Sequence, residues 1–237
     1  MEKVCVESFV VEMGRLCNRV CEHCLRGKME NVTTNLNYIK KVLNQVSRIG
    51  CITFTGGEPT MYAKEIAEII DYIIENNIEI YDFYVASNGE KYSQKLMKAL
   101  VKLYDYMYDI SCCEITAFDV SNDQFHKPNP YVVEKLSNFV FFHQRENIPL
   151  RGIISEGYAE ENGIGYRYLD YGKKFYVTKN EYKDETEYEI EMLYLNSFGE
   201  FFAECDYSYE TQRNLDKLNC NTLLIDVVKD EDFSTIY

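Results

Sequence analysis

Cys51-Ile52-Thr53-Phe54-Thr55-Gly56-Gly57-Glu58-Pro59 reads as a short strand that runs into paired glycines and a carboxylate. Upstream, residues 4–12 read as a first buried strand. Between the two, Asn35 is placed to cap a helix whose apolar positions are Ile39, Val42, Leu43, Val46 and Ile49, with Gly50 as a left-handed stop. Downstream, Ile66, Ile69, Ile70 and Ile73 form a helical stripe and residues 80–86 a third strand. Leu96, Leu100 and Leu103 give the next helix, and residues 115–121 a fourth strand. Asn129 before Pro130 caps a further helix carrying Val133, Leu136, Val140 and His143, and residues 150–155 complete a fifth strand. Strands that alternate with helices pair in parallel through right-handed crossovers, which gives an α/β fold, either a partial or complete barrel or an open doubly wound sheet.

The period changes after Gly163. Tyr188, Ile190, Met192 and Tyr194 alternate with polar residues, and Asn196-Ser197-Phe198-Gly199 leads into Phe201–Ala203, the pattern of a β-hairpin. Residues 1–163 therefore read as the α/β core and 164–237 as a C-terminal extension, a lid or substrate platform. The acidic, Tyr-rich stretch 156–191 reads as a solvated flank.

The chain has 237 residues, with 39 Asp plus Glu against 25 Lys plus Arg and a formal net charge of −14. Such a balance repels a phosphate backbone and disfavours nucleic acid as a partner. No apolar run approaches the roughly 20 residues a bilayer needs, and the start lacks a secretory apolar segment, so a cytoplasmic location without membrane contact is expected. In a reducing compartment, nine cysteines are expected to be ligands, reactive groups or small buried apolar residues rather than disulfides.

Cys17, Cys21 and Cys24 lie on the loop after the first strand, three and then two residues apart. Three thiolates so close can share one metal centre and leave a coordination position without a protein ligand. Zinc completed by His23, Cys205 or Cys220 is the alternative. Gly56, Gly57, Glu58 and Pro59 stand at the C-terminal end of the next strand, where α/β folds bind ligands.

Over about residues 5–155 this combination resembles the radical S-adenosylmethionine (SAM) superfamily, with its Cys-x-x-x-Cys-x-x-Cys loop and Gly-Gly-Glu-Pro motif. The resemblance implies a partial (β/α)6 TIM-like barrel with Cys17, Cys21 and Cys24 on a 4Fe-4S cluster whose open iron chelates SAM. Gly56–Pro59 would meet the methionine amino group, and His23 stands where members carry an aromatic residue near the adenine. Ser87-Asn88-Gly89 is similar to the ribose-contacting segment, and equally to a plain turn. Ser121-Asn122-Asp123, followed by His126, resembles a Ser-x-Asp segment, with Asp123 as a helix cap the competing reading. The resemblance further implies reductive cleavage of SAM to a 5′-deoxyadenosyl radical, hydrogen abstraction from a substrate, and a low-potential donor of the ferredoxin or flavodoxin type.

Gly199-Glu200-Phe201-Phe202-Ala203-Glu204-Cys205 loosely resembles part of the cysteine-rich extensions of peptide-modifying members. Too few cysteines come after it for a second cluster. Cys205 is then a substrate-facing thiol or, like Cys5, Cys51, Cys112 and Cys113, a small buried residue. His143 reads as structural, His126 as able to face the pocket, and the 21 tyrosines as packing. The leading expectation is an enzyme acting on a peptide or protein side chain. Modification of a nucleoside or small metabolite is the enzymatic alternative, and a zinc-binding interaction protein the alternative of another class.

Overall fold

Strand β1 (Glu2–Glu12) is buried on both faces, as a central parallel strand must be. Phe9 and Val11 enter the main apolar cluster, while Val10 enters a second one with Tyr194, Phe202 and Tyr207. The computed structural model describes residues 2–108, 115–146, 152–166, 169, 171, 173–182 and 184–237. Helix α1 (Leu36–Leu43) is capped by the Asn35 side chain, which accepts from the Asn37 amide. β2 (Arg48–Thr55), a 3-10 turn (Pro59–Tyr62), α2 (Ala63–Glu75), β3 (Glu79–Ser87), α3 (Gln94–Tyr108) and β4 (Ala117–Asn122) come next in the expected alternation. Ile66, Ile69, Ile70 and Ile73 of α2 are all fully buried, so the stripe read from the sequence faces the core.

Three boundaries differ from expectation. The helix carrying Val46 and Ile49 stops at Leu43, because from Arg48 onward the chain pairs with β1 and β3. Gly50 is therefore a strand residue, and a Cβ there would lie 2.5 Å from the Glu7 carbonyl oxygen. α4 (Pro130–Leu136) is capped by Asn129 as expected but ends before Val140, which is 73% exposed. The Asn138 side chain donates to the Glu134 carbonyl and closes the helix. His143 lies on β5 (Phe142–Glu146) rather than on a helix, opposite Asp119 of β4. The fifth strand thus precedes residues 150–155; Leu150 lies outside the described residues, and Ile153–Ser155 lies in no strand. β5 is a polar edge strand, Phe-His-Gln-Arg-Glu, and has no apolar alternation to betray it.

Beyond α5 (Gly157–Glu161) come β6 (Phe175–Tyr182), β7 (Glu185–Leu195), β8 (Glu200–Phe202), α6 (Tyr209–Asn214), β9 (Leu218–Asn219), α7 (Leu224–Lys229) and β10 (Ser234–Ile236). The hairpin is present: β7 and β8 pair antiparallel, and Gly199 takes φ 77° in the turn, a conformation glycine adopts without strain. Sequence patterning did not reveal where β7 goes. It runs parallel to β1, pairing from Glu2 with Thr186 to Val11 with Leu195. The order β10-β6-β7-β1-β2-β3-β4-β5 therefore contains a continuous parallel block from β7 to β5. The sheet crosses residue 163 without a break. Among the described residues its two ends pair with no further strand, so the barrel is partial. Cys112 and Cys113 lie outside the described residues, and among the described residues no helix is long and apolar enough to cross a membrane.

Candidate metal and cofactor site

All the strand ends that matter open on one side of the sheet. The loop leaving β1 is tied to the loop leaving β2 by backbone bonds: the Met13 amide donates to Thr55, the Gly57 amide to Gly14 and the Glu58 amide to Leu16, at 2.9–3.0 Å. The two glycines make this approach possible. A Cβ on Gly56, at φ 132°, would lie 2.2 Å from the Gly14 carbonyl oxygen, and one on Gly57 would lie 2.0 Å from that of Leu16. Gly56 and Gly57 thus let the cysteine loop lie against the end of β2, in addition to any ligand they accommodate.

Cys17, Cys21 and Cys24 are half-buried free thiols in one cavity with Gly56, Gly57 and Tyr209. Burial, and then the neighbouring Cys24 and Cys17, push the Cys21 thiol up to about 11. Three thiolates here therefore need a positive centre between them. Among the described residues, the set of three whose ligand atoms all lie within 4.8 Å of one another is Glu204, Cys205 and Asp206; the three loop thiols are spread wider.

Around the thiols the remaining candidates fall into two groups. In the first, Glu58 is 2% exposed and its carboxylate accepts from the Thr60 amide at 3.2 Å and hydroxyl at 2.7 Å, from the Ser87 hydroxyl at 2.8 Å and from the Asn88 amide at 3.0 Å. Its side chain braces the ends of β2 and β3 together. Asn88 donates to Asn18 at 2.9 Å, and its amide nitrogen lies 3.8 Å from the Cys17 sulfur. Pro59 is buried at the start of the 3-10 turn.

In the second group, the Asp123 carboxylate accepts from the Phe125 and His126 amides at 2.8 and 2.9 Å and lies 3.0 Å from His126 Nδ1. The other ring nitrogen, Nε2, is 3.5 Å from the Cys21 sulfur. Burial opposes ionisation of Asp123, but the Phe125 and His126 hydrogen bonds outweigh it and hold the carboxyl below its usual range. Asp123 is thus both the cap of a turn and the group that aims His126 at a candidate ligand. His23 stacks on Phe125 with ring centroids 4.1 Å apart and meets His126 edge-on at 4.8 Å. Burial first, then His126, lower His23 to about 4 and keep it neutral at pH 7. Ser121 is half-buried on β4, opposite Arg145 of β5.

Sequence reasoning missed a buried polar knot behind the loop. The Arg15 Nε donates to Glu12 at 2.7 Å and its Nη2 to Gln212 at 2.5 Å, with both charged side chains almost fully buried. The Glu12 carboxylate also accepts from the Ser197 amide at 3.0 Å and from the Tyr194 hydroxyl. The knot joins β1 to β7 and α6. An acid ending an otherwise apolar buried strand was its available signal. Cys205, half-buried and raised to about 12 by burial and then by Asp206, sits beside Glu204, which pairs with Lys173 at 3.4 Å.

A parallel sheet that gathers three thiols and a glycine turn at its strand ends makes a partial α/β barrel with a candidate metal site. Residues 11–111 match the profile of the Radical SAM superfamily, a class of enzymes whose cofactors are a 4Fe-4S cluster and SAM. The fold is similar to that of polyhistidine-tagged anSMEcpe with bound AdoMet (13% identity, TM-score 0.56) and of native anSMEcpe with bound AdoMet and the Cp18Cys peptide (13%, TM-score 0.57), the chain being covered to 96% and each of those chains to 81%. SuiB of Streptococcus suis bound to precursor peptide SuiA matches 94% of the chain at 14% identity and TM-score 0.48, and the chain spans 64% of SuiB's length. The comparison with curated proteins found no match.

Proposed function

We propose that Cys17, Cys21 and Cys24 hold the 4Fe-4S cluster, and that the chain cleaves SAM reductively and abstracts hydrogen from a peptide or protein side chain. A cluster held by Cys17, Cys21 and Cys24 would supply the one-electron reduction that breaks the C5′–S bond of SAM, with methionine as the leaving group and hydrogen abstraction as the chemistry that follows. The observation that carries the reading is the convergence of three free thiols with Gly56 and Gly57 in one cavity. Around it, Gly56–Pro59, Ser87 and Asn88 form the wall for SAM, with Glu58 bracing that wall. His23, Phe125 and the Asp123–His126 pair form the opposite side, with Ser121 behind. Half-burial of the thiols lets the loop keep water from the reacting atoms. The peptide class is supported by the peptide in the anSMEcpe structure of the same fold. A ferredoxin or flavodoxin supplies the electron, and the enzyme works in the cytoplasm.

Anaerobic reconstitution with iron and sulfide, then addition of SAM and dithionite, tests the reading. A brown protein that forms 5′-deoxyadenosine, faster with a cognate peptide, is expected. A colourless protein that retains zinc and forms none would overturn it, and stimulation by a nucleoside or small metabolite instead of any peptide would overturn the substrate class.

A further inference from the structure

The cavity that holds the thiols opens past Arg26 and Tyr209 into an outer cleft between the cysteine loop and the N-terminal ends of α5 and α6. Both residues line the cavity and the cleft. Gly56 and Gly57, the expected SAM wall, line the cavity alone. Two features of this threshold point to a ligand. Tyr209 is 2% exposed, and its hydroxyl has no hydrogen-bond partner. A buried hydroxyl left unpaired costs stability, so its place here asks for an acceptor from outside the chain. The half-buried Arg26 gives one hydrogen bond, from Nη1 to the Tyr207 carbonyl at 2.6 Å, although a guanidinium carries five N–H donors. Arg26 lies over the Tyr194 ring at 5.2 Å and feels the Glu12 charge at longer range, but among the described residues no carboxylate comes within 4 Å of it, whereas Arg15 is paired with Glu12 and Glu30. The Tyr209 amide donates to the Arg26 carbonyl at 3.1 Å, which ties the two residues together.

We propose that Arg26 and Tyr209 form a carboxylate-binding site at this threshold, which anchors a substrate peptide through its C-terminal or an acidic side-chain carboxylate. The inference rests on the peptide reading above. A guanidinium fork matches a carboxylate in two parallel hydrogen bonds, and a phenol adds a third donor. Burial, and then Glu12 beside it, push the Tyr209 hydroxyl well up, so it remains a donor at neutral pH. Arg15 lies over the face of the Tyr209 ring at 4.3 Å and holds it in position.

The test uses the full chain, reconstituted anaerobically and saturated with SAM. The probes are N-acetyl-alanine and N-acetyl-glutamate α-amide, each beside its uncharged amide counterpart, and the readout is the thermal midpoint as a function of probe concentration into the tens of millimolar. At least one acid should raise the midpoint, and which one does so identifies the source of the carboxylate; the amides should not. Tyr209→Phe and Arg26→Gln should each weaken that apparent affinity at least fivefold, with Arg26→Lys in between. Without ligand, Tyr209→Phe should keep or raise the midpoint, because the hydroxyl it removes bonds to nothing in the chain; a clear fall would overturn the inference. Equal protection by acid and amide, no protection by either acid, or protection retained in both variants would also overturn it. SAM affinity that falls tenfold in either variant would make the carboxylate SAM's own, again against the inference. A wild type that binds iron and cleaves SAM but ignores the acids refutes this site and leaves the superfamily chemistry standing, whereas one that takes up no iron refutes both.

Discussion

Replacement of Glu58 by Ala should cost stability before it costs anything else. The carboxylate is buried and collects hydrogen bonds from Thr60, Ser87 and Asn88, which belong to the turn after β2 and the end of β3. Each hydrogen bond to a charged group contributes about 1.5–3 kcal/mol, but truncation also lets the Thr60 and Ser87 hydroxyls turn to other acceptors, so the donors left stranded set the loss. The Asn88 amide is the donor least able to move, and together with the cavity this gives a net destabilisation of about 3 kcal/mol. Equilibrium denaturation of the cluster-free protein measures it as a lower midpoint at unchanged slope. Glu58→Gln should lose about half as much, since one oxygen survives. SAM affinity of whatever folded variant can be reconstituted should fall as well, through displacement of Asn88 and the wall beside it. The reasoning is refuted if Glu58→Ala denatures like wild type while SAM binding drops tenfold or more, because the carboxylate would then be a ligand contact and not a brace.

Single replacement of Cys17, Cys21 or Cys24 by Ala should leave the fold intact and remove iron and sulfide; near-stoichiometric iron in all three variants would sink the assignment. Cys205→Ala and Cys220→Ala should leave about four irons per chain, the content of one 4Fe-4S cluster, as colorimetric analysis would show. Loss of the ring beside Cys21 in His126→Phe should make the cluster potential more negative, since a polar group near a ligand sulfur stabilises the reduced charge; an EPR-monitored redox titration that overlays wild type would refute this. Burial opposes ionisation of Glu12, but Arg15 and Arg26 outweigh it and lower its pKa in the folded state. Its contribution is therefore complete above the unfolded value of about 4.3 and is lost as pH falls further. Glu12→Gln should be less stable at pH 7 and should flatten the acid limb of a stability-against-pH curve; equal slopes below pH 4 would contradict the sign.

Different physics governs what the sequence revealed and what it hid. The repeating α/β core announces itself because Ile66–Ile73 and Leu96–Leu103 keep a helical period over two or more turns, and Asn35 and Asn129 carry caps whose chemistry is local. The thiols and the glycine turn are legible for the same reason, since their spacing is short. β5 was hidden because an edge strand exposed to water has no apolar rhythm, and β7 because its alternation tells that it is a strand without telling which partner it seeks. The Glu58 brace, the His126 approach to Cys21 and the Arg26–Tyr209 threshold depend on residues tens to hundreds of positions apart, and no local pattern encodes such meetings.

The pairing of β7 with β1 also sets a timetable. Glu12 and the Tyr194 hydroxyl that bonds to it are 182 residues apart in the chain. At about 5–20 residues per second, a ribosome needs roughly ten to forty seconds between delivering the first and the second. During that interval one side of the strand that leads into the cysteine loop has no partner, and an unpaired apolar strand edge is a template for the wrong neighbour. The cell must therefore shield a growing chain whose cysteine loop leaves the ribosome long before the strand that secures it. Hosts expressing this protein at high rate should accumulate aggregates of nascent chains before they show any shortage of iron and sulfide.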